Sequence, residues 1–259
     1  MSKPKYSILL ALGLMWSGAC AALAPKAPPE NTTELIANHH SDMRLSTEGG
    51  NQEGRGAFLA TQFRYALHDF LDRKGDYPHS TSIEIASVKW RVHIENTRPW
   101  LDELTLLRVL RIPTLAENDG EMSWGFDAGM RTARETFCVN CLAGHVRGAL
   151  GVTEAPIRGV PLEVFLLGEA EISIAPNAID SAFQPALGPW LGLRLWWSDN
   201  WTAFLSGRYR YYFLTRTKPG SFQTSAAIRY YLGWDMAVEG RVARLPDGWE
   251  YAGGLFVYF

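Results

Sequence analysis

Between residues 86 and 94 the chain changes character at every step. Ala86, Val88, Trp90, Val92 and Ile94 alternate with Ser87, Lys89, Arg91 and His93. A period of two marks a β-strand whose two faces meet different surroundings. The pattern returns along the chain. Leu142, Val146, Leu150 and Val152 oppose Cys141, His145 and Arg147, and Phe222, Ala226, Ile228, Tyr230 and Leu232 oppose Gln223, Ser225 and Arg229. Met236, Val238, Gly240 and Val242 oppose Asp235, Ala237, Glu239 and Arg241. About twelve segments of membrane-strand length follow one another, at 42–47, 57–67, 80–96, 101–113, 121–134 and 141–153, then 161–175, 186–197, 201–215, 221–234, 235–244 and 249–259. Turn chemistry separates them, as at Gly49-Gly50-Asn51, Ser198-Asp199-Asn200, Lys218-Pro219-Gly220 and Pro246-Asp247-Gly248. The expected fold is all-β, an antiparallel transmembrane β-barrel of about twelve strands. Closure removes the unpaired edge that hydrocarbon does not tolerate.

Alternation alone also fits a soluble sandwich or a lipocalin-like barrel, with the two faces exchanged. The composition is compatible with the membrane form: 47% of residues are hydrophobic, 12% aromatic and 20% charged. Mean hydropathy is nevertheless only −0.11, because a barrel spreads its apolar half over alternate positions. A helical membrane protein needs unbroken apolar runs of roughly 20 residues, and nothing after residue 24 supplies one. Trp100, Trp190, Trp196, Trp197, Trp201, Trp234 and Trp249 lie near expected strand ends and are candidates for interfacial girdles. The formal net charge of −2 does not point to nucleic acid.

The two ends of the chain agree with export. Tyr251, Gly253, Leu255, Val257 and Phe259 alternate up to a terminal aromatic, which resembles the closing strand of bacterial outer-membrane barrels. Lys3 and Lys5 precede an apolar stretch from Tyr6 to Trp16 and small residues ending in Ala19-Cys20-Ala21, the three-part layout of a secretory signal. The expected division is a signal peptide at 1–21, an exposed linker at 22–41 carrying Pro25, Pro28 and Pro29, and the barrel at 42–259. A retained N-terminal helix and a lipid on Cys20 are the alternatives, although Ser17 stands where lipoprotein signals usually carry Leu. The expected location is the outer membrane. Its lipids, and the barrel-assembly machinery during insertion, are the first expected partners.

If the apolar sets face lipid, the lumen collects Lys89, Arg91, His93, His145, Arg147, Arg229, Glu239 and Arg241. A charge on the lipid face costs roughly 2–4 kcal/mol near the bilayer midplane, which decides the inward face. Small barrels fill their interiors with side chains, so the cluster reads as a salt-bridged plug as well as a channel wall. Cys138 and Cys141 form a lone CxxC. Without a second pair it cannot make a four-Cys zinc site. A local disulfide closing a turn suits an oxidising compartment, and inert thiols remain the alternative. His68-Asp69 at a strand end is a catalytic candidate that also reads as a polar pair fixing a turn, and His39-His40 with Asp42 reads as a solvated linker. Neither a G-x-S-x-G elbow nor an H-E-x-x-H motif is present. No metal or cofactor is expected.

One stretch goes beyond architecture. Phe63-Arg64-Tyr65-Ala66-Leu67-His68-Asp69-Phe70-Leu71-Asp72 is followed by Gly75-Asp76-Tyr77-Pro78, by Ile83–Val88, by Leu104–Val109, and by Ser123-Trp124-Gly125-Phe126-Asp127-Ala128-Gly129. These segments, with the step from Cys138 and Cys141 into Gly144, Gly148 and Gly151, resemble the C-terminal barrel region of a bacterial envelope family of unknown function. Its longer members join the barrel to a lipoprotein N-acyltransferase-like domain with a Cys/His active site. The residues before Asp42 are too few for that domain, so no catalytic residue is carried over. The resemblance implies a non-catalytic barrel that anchors or assists a separate envelope- or lipoprotein-modifying partner. A narrow, porin-like channel and a barrel lipid-modifying enzyme using His68-Asp69 are the competing expectations.

Overall fold

A computed structural model describes residues 43–72, 80–95, 97–115, 120–157, 160–216, 218–233 and 235–259, with only the backbone at 66–68. The signal peptide, the linker, Cys20, His39, His40, Asp42, Trp234 and the His68 side chain therefore lie outside the described residues. The described residues form twelve strands: β1 Met43–Gln52, β2 Gly56–His68, β3 Thr81–His93, β4 Trp100–Arg111, β5 Ser123–Glu135, β6 Cys138–Glu154, β7 Leu162–Ile174, β8 Phe183–Ser198, β9 Trp201–Tyr212, β10 Gly220–Tyr231, β11 Met236–Leu245 and β12 Gly248–Tyr258. Each pairs with its sequence neighbours, and β1 closes antiparallel on β12 from Arg44↔Tyr258 to Gln52↔Glu250. The fold is a closed antiparallel barrel.

The barrel is inside-out relative to a soluble domain. Arg91, Arg229, Glu84 and Glu250 are each at most 2% exposed, whereas Leu59, Trp90, Leu150, Leu166 and Leu205 are half exposed. An apolar outer wall in water would forfeit its burial energy, and in lipid it matches its surroundings.

The strand register shifts at six places among the described residues, and three of these shifts bring together side chains that strict alternation would separate. Ala86 takes φ 52° in β3, where the register shifts from Phe63↔Val88 to Tyr65↔Ile85. The extra residue resets parity, so Glu84 and Lys89 both face the lumen although five positions separate them. Leu106 is passed over between Thr105↔Gly129 and Leu107↔Ala128, which brings Glu103 and Arg108 onto one face. In β6, Asn140 at φ 74° does the same for Cys138 and Cys141. Both are buried and disulfide-bonded. The bridge thus spans a bulge inside β6, beside the Thr136-Phe137 turn, where the sequence suggested a strand beginning only at Cys141.

Gly49-Gly50-Asn51 is not a turn. These residues sit within β1, and the chain reverses at Glu53-Gly54-Arg55. Gly50 is required by close approach: a Cβ there would lie 2.5 Å from the Phe58 ring and 2.3 Å from the Tyr251 carbonyl. The tryptophans also divide. Trp197, Trp201 and Trp249 are exposed outside, but Trp196 is buried within, Trp190 packs beside Phe165, and Trp100 stacks on buried His93 at 4.6 Å.

Candidate functional site

The lumen holds the chemistry, and it is built in tiers. At the mouth where β1 begins and β12 ends, the segment after β2 folds back into the barrel. The Arg44 guanidinium donates to Asp72 at 2.6 Å and lies 3.1 Å from Asp69, and Arg64 donates to Asp69 at 3.0 Å. Arg229, from β10, reaches Asp69 at 3.1 Å. The Trp196 indole N–H donates to the Asp72 carbonyl at 3.3 Å, and the Tyr231 hydroxyl donates to the Leu71 carbonyl at 2.9 Å. Strands β2 and β8 are six places apart in a ring of twelve, so the Asp69–Asp72 turn bridges opposite walls. Phe70 enters the lumen and stacks near Phe204 and Phe165, with centroids at 5.5 and 6.3 Å.

Burial pushes the Asp69 carboxyl up. The guanidiniums of Arg229, Arg64 and Arg44 outweigh that, with the Leu71 N–H adding to them, and hold it well below the usual carboxylate range. Asp69 is thus committed to the arginines around it.

At the far mouth the ion pairs run between strands. Arg91 donates to Glu250 at 2.7 Å and to Asp102 at 2.9 Å. Arg134 joins both acids, and Arg241 donates to Glu250 at 3.0 Å. Deeper in the lumen, midway along β1, Lys89 donates to Glu48 at 2.7 Å, and Arg241 reaches the same carboxylate at 3.3 Å. His93 holds the Arg55 carbonyl through Nδ1 at 3.1 Å. A third group surrounds Glu169 and Glu171 on β7. Arg131 donates to Glu171 at 2.6 Å, Arg208 lies 2.7 Å from Glu169, and Arg147 approaches both at 3.4–3.5 Å while donating to Asp127 at 2.7 Å. Arg210 pairs with Glu135 and approaches Glu171 at 3.4 Å. His145 Nε2 lies 3.3 Å from Asp127.

The eight residues named from the sequence therefore do not form one cluster. Lys89, Arg91 and Arg241 meet through Glu48 and Glu250. His145 and Arg147 meet at Asp127, Arg229 pairs with Glu239 at 2.7 Å near the mouth that the Asp69–Asp72 turn crosses, and His93 stands near the other mouth. Sequence reasoning missed most of their acids and the arginines that hold the Asp69–Asp72 turn. The signal existed: Glu163, Glu169, Glu171 and Ser173 share one parity of β7, as Ser206, Arg208 and Arg210 do in β9. Among the described residues no group of three His, Cys, Asp or Glu is arranged to hold a metal ion.

A family model described as a domain of unknown function, DUF7840, matches residues 37–248. The chain belongs to this family. No curated protein matches it. Among solved structures it is similar to the KdgM porin at 9% identity, with 83% of this chain and 99% of that chain covered and a TM-score of 0.47. It is also similar to the COG4313 outer membrane channel from Pseudomonas putida F1, at 9% identity, 90% and 100% coverage and a TM-score of 0.48. Similarity to the Acinetobacter baumannii outer membrane protein Omp33 is 10% identity, 85% and 99% coverage and a TM-score of 0.40. The barrel assignment stands on the strand ladder and the inside-out burial of this DUF7840 chain itself.

Proposed function

We propose that this protein is an outer-membrane barrel closed at one mouth, serving as an anchor or accessory for a separate envelope- or lipoprotein-modifying partner rather than as an open pore. The observation that carries this reading is the Asp69–Asp72 turn, fastened to β1 and β2 on one side and to β8 and β10 on the other. Removing one partner of a buried ion pair typically costs about 3–5 kcal/mol. A turn held by several such contacts does not leave the lumen by thermal fluctuation. An enzyme as the partner is supported by the resemblance to longer chains that join such a barrel to an acyltransferase-like domain.

Two measurements test the reading. The purified barrel is inserted into planar bilayers, and cells are gently cross-linked before extraction from the outer membrane in mild detergent. The expected results are an electrically silent barrel and an envelope enzyme in the cross-linked complex. Stable single-channel steps from the wild-type chain would refute closure. Recovery of the barrel alone would refute the accessory role.

A further inference from the structure

Beyond closure, the lumen contains a cavity of about 490 Å³, reaching from Phe70 to Arg134 and Leu245 near the far mouth. That volume lies within the range of small-molecule sites. Its wall carries both signs of charge, but presents them unequally. The side chains of Glu135, Glu169 and Glu250 are 1–2% exposed, each covered by arginines, while those of Arg131, Arg208 and Arg241 keep 16%, 20% and 28%. Arg108 and Glu103, at 32% and 29%, are a matched pair and cancel.

The arginines also have donors to spare. Arg208 faces Glu169 through Nε and lies over the Trp190 ring at 4.2 Å. Its Nη1 and Nη2 have no hydrogen-bond partner among the described residues. Arg131 spends only Nη2 on Glu171, which lies two residues from Glu169 on the same face of β7, so the two arginines are anchored to neighbouring acids of one strand and line the same cavity. A guanidinium with its terminal nitrogens unused is a preformed fork for a planar oxyanion. Gln223, Thr224 and Ser225 line the adjacent wall and supply neutral donors and acceptors.

We propose that this cavity binds a small organic anion through a carboxylate or phosphate group, with Arg208 as the principal fork and Arg131 as a second cation of the same wall. Ion pairing to Glu169 and stacking on Trp190 hold the Arg208 side chain before a ligand arrives, so little rotamer freedom is lost on binding.

The test is calorimetric titration of the full barrel in a non-ionic detergent with inorganic phosphate, D-glucuronate and D-glucose. Saturable binding of phosphate or glucuronate is expected, with none for glucose. It should weaken by at least about tenfold in about 1 M salt, where the screening length falls to about 3 Å. Arg208→Gln should weaken it by about tenfold or more, the loss of one charged fork. Arg216→Gln, in the exposed loop after β9, should leave it unchanged. Heat-modified gel mobility establishes that each variant is folded. Should Arg208→Gln not fold, Arg131→Gln carries the same expectation. Binding of phosphate alone identifies a phosphoryl ligand, and binding of glucuronate alone a carboxylate; either supports the site. Absence of saturable binding by both anions, equal binding of glucose, or undiminished affinity in the folded arginine variant would overturn it. The outcome is independent of conductance: a barrel that both conducts and binds overturns closure and leaves this site standing.

Discussion

The two mouths of the barrel use the same chemistry to opposite ends. Both are laced by arginine–carboxylate pairs, but the carboxylates come from different places. At the mouth where β1 begins, Asp69 and Asp72 lie on a turn, so neutralising Arg44, Arg64 and Arg229 draws that turn into the lumen. Glu250 at the far mouth and Glu48 midway along β1 are on strands, and their pairs with Arg91, Arg241 and Lys89 brace the wall. An arginine on a barrel wall does not by itself make a channel or a plug. The element carrying its counter-charge decides.

The sharpest way to break this contrast is to neutralise the turn. The double substitution Asp69→Asn and Asp72→Asn should release it and convert a silent barrel into a conducting one in planar bilayers. A folded variant that stays silent would mean that something else closes the mouth. The matching change at the far mouth, Glu250→Gln, weakens the shared acceptor of Arg91, Arg134 and Arg241. It should cost about 3–5 kcal/mol, seen as a lower urea midpoint, with no current appearing; if current appears, the distinction between plug and brace fails.

Between these lies Phe70→Ala, which leaves Asp69 and Asp72 in place and removes the ring from among Phe165, Phe204 and Arg194. A loss of about 3 kcal/mol is expected from the same urea titration, toward the low end for a Phe truncation because the ring is only partly buried. The smallest expected effect is that of mild acid. Asp69's carboxyl is depressed in the folded barrel, so its stabilisation is fully present above its unfolded value near 3.9 and disappears only as pH falls through the lower folded value. Conductance should therefore be unchanged between about pH 7 and pH 5, and current that opens within that window would show that Asp69 is not the fastener.

What the sequence disclosed follows the same division. The strands, and the outward set Val88, Trp90 and Val92, were legible because lipid and lumen impose opposite chemistry on neighbouring residues. Bulges were not. Nothing in Ala86, Leu106 or Asn140 announces a parity change, so counting by twos cannot pair Glu84 with Lys89 or Cys138 with Cys141 on one face. Gly49-Gly50 read as a turn because glycine marks both reversals and close approaches, and only the position of Phe58 separates the two. Trp100, Trp190 and Trp196 carry no label distinguishing an interfacial ring from one turned inward to a histidine, an arginine or a backbone carbonyl. The plug was hidden for a related reason: Asp69 and Asp72 have the composition of an ordinary polar turn, and their partners are scattered from Arg44 to Arg229.

The seam between β1 and β12 has a consequence for the order of assembly. Every other pairing joins strands adjacent in sequence and can zip locally as hairpins. Arg44↔Tyr258 and its neighbours span nearly the whole described chain, the kind of distant contact that slows folding. Several lumen contacts wait on that seam, because Glu48 from β1 reaches Arg241 on β11, and Glu250 from β12 reaches Arg91 on β3. Until the first and last strands meet, those charges face one another across an open sheet. The final zipping step thus adds Arg241 to the Lys89–Glu48 pair and Arg91 to the Arg241–Glu250 pair, and an incomplete barrel lacks these cross-seam ion pairs as well as having unpaired edges.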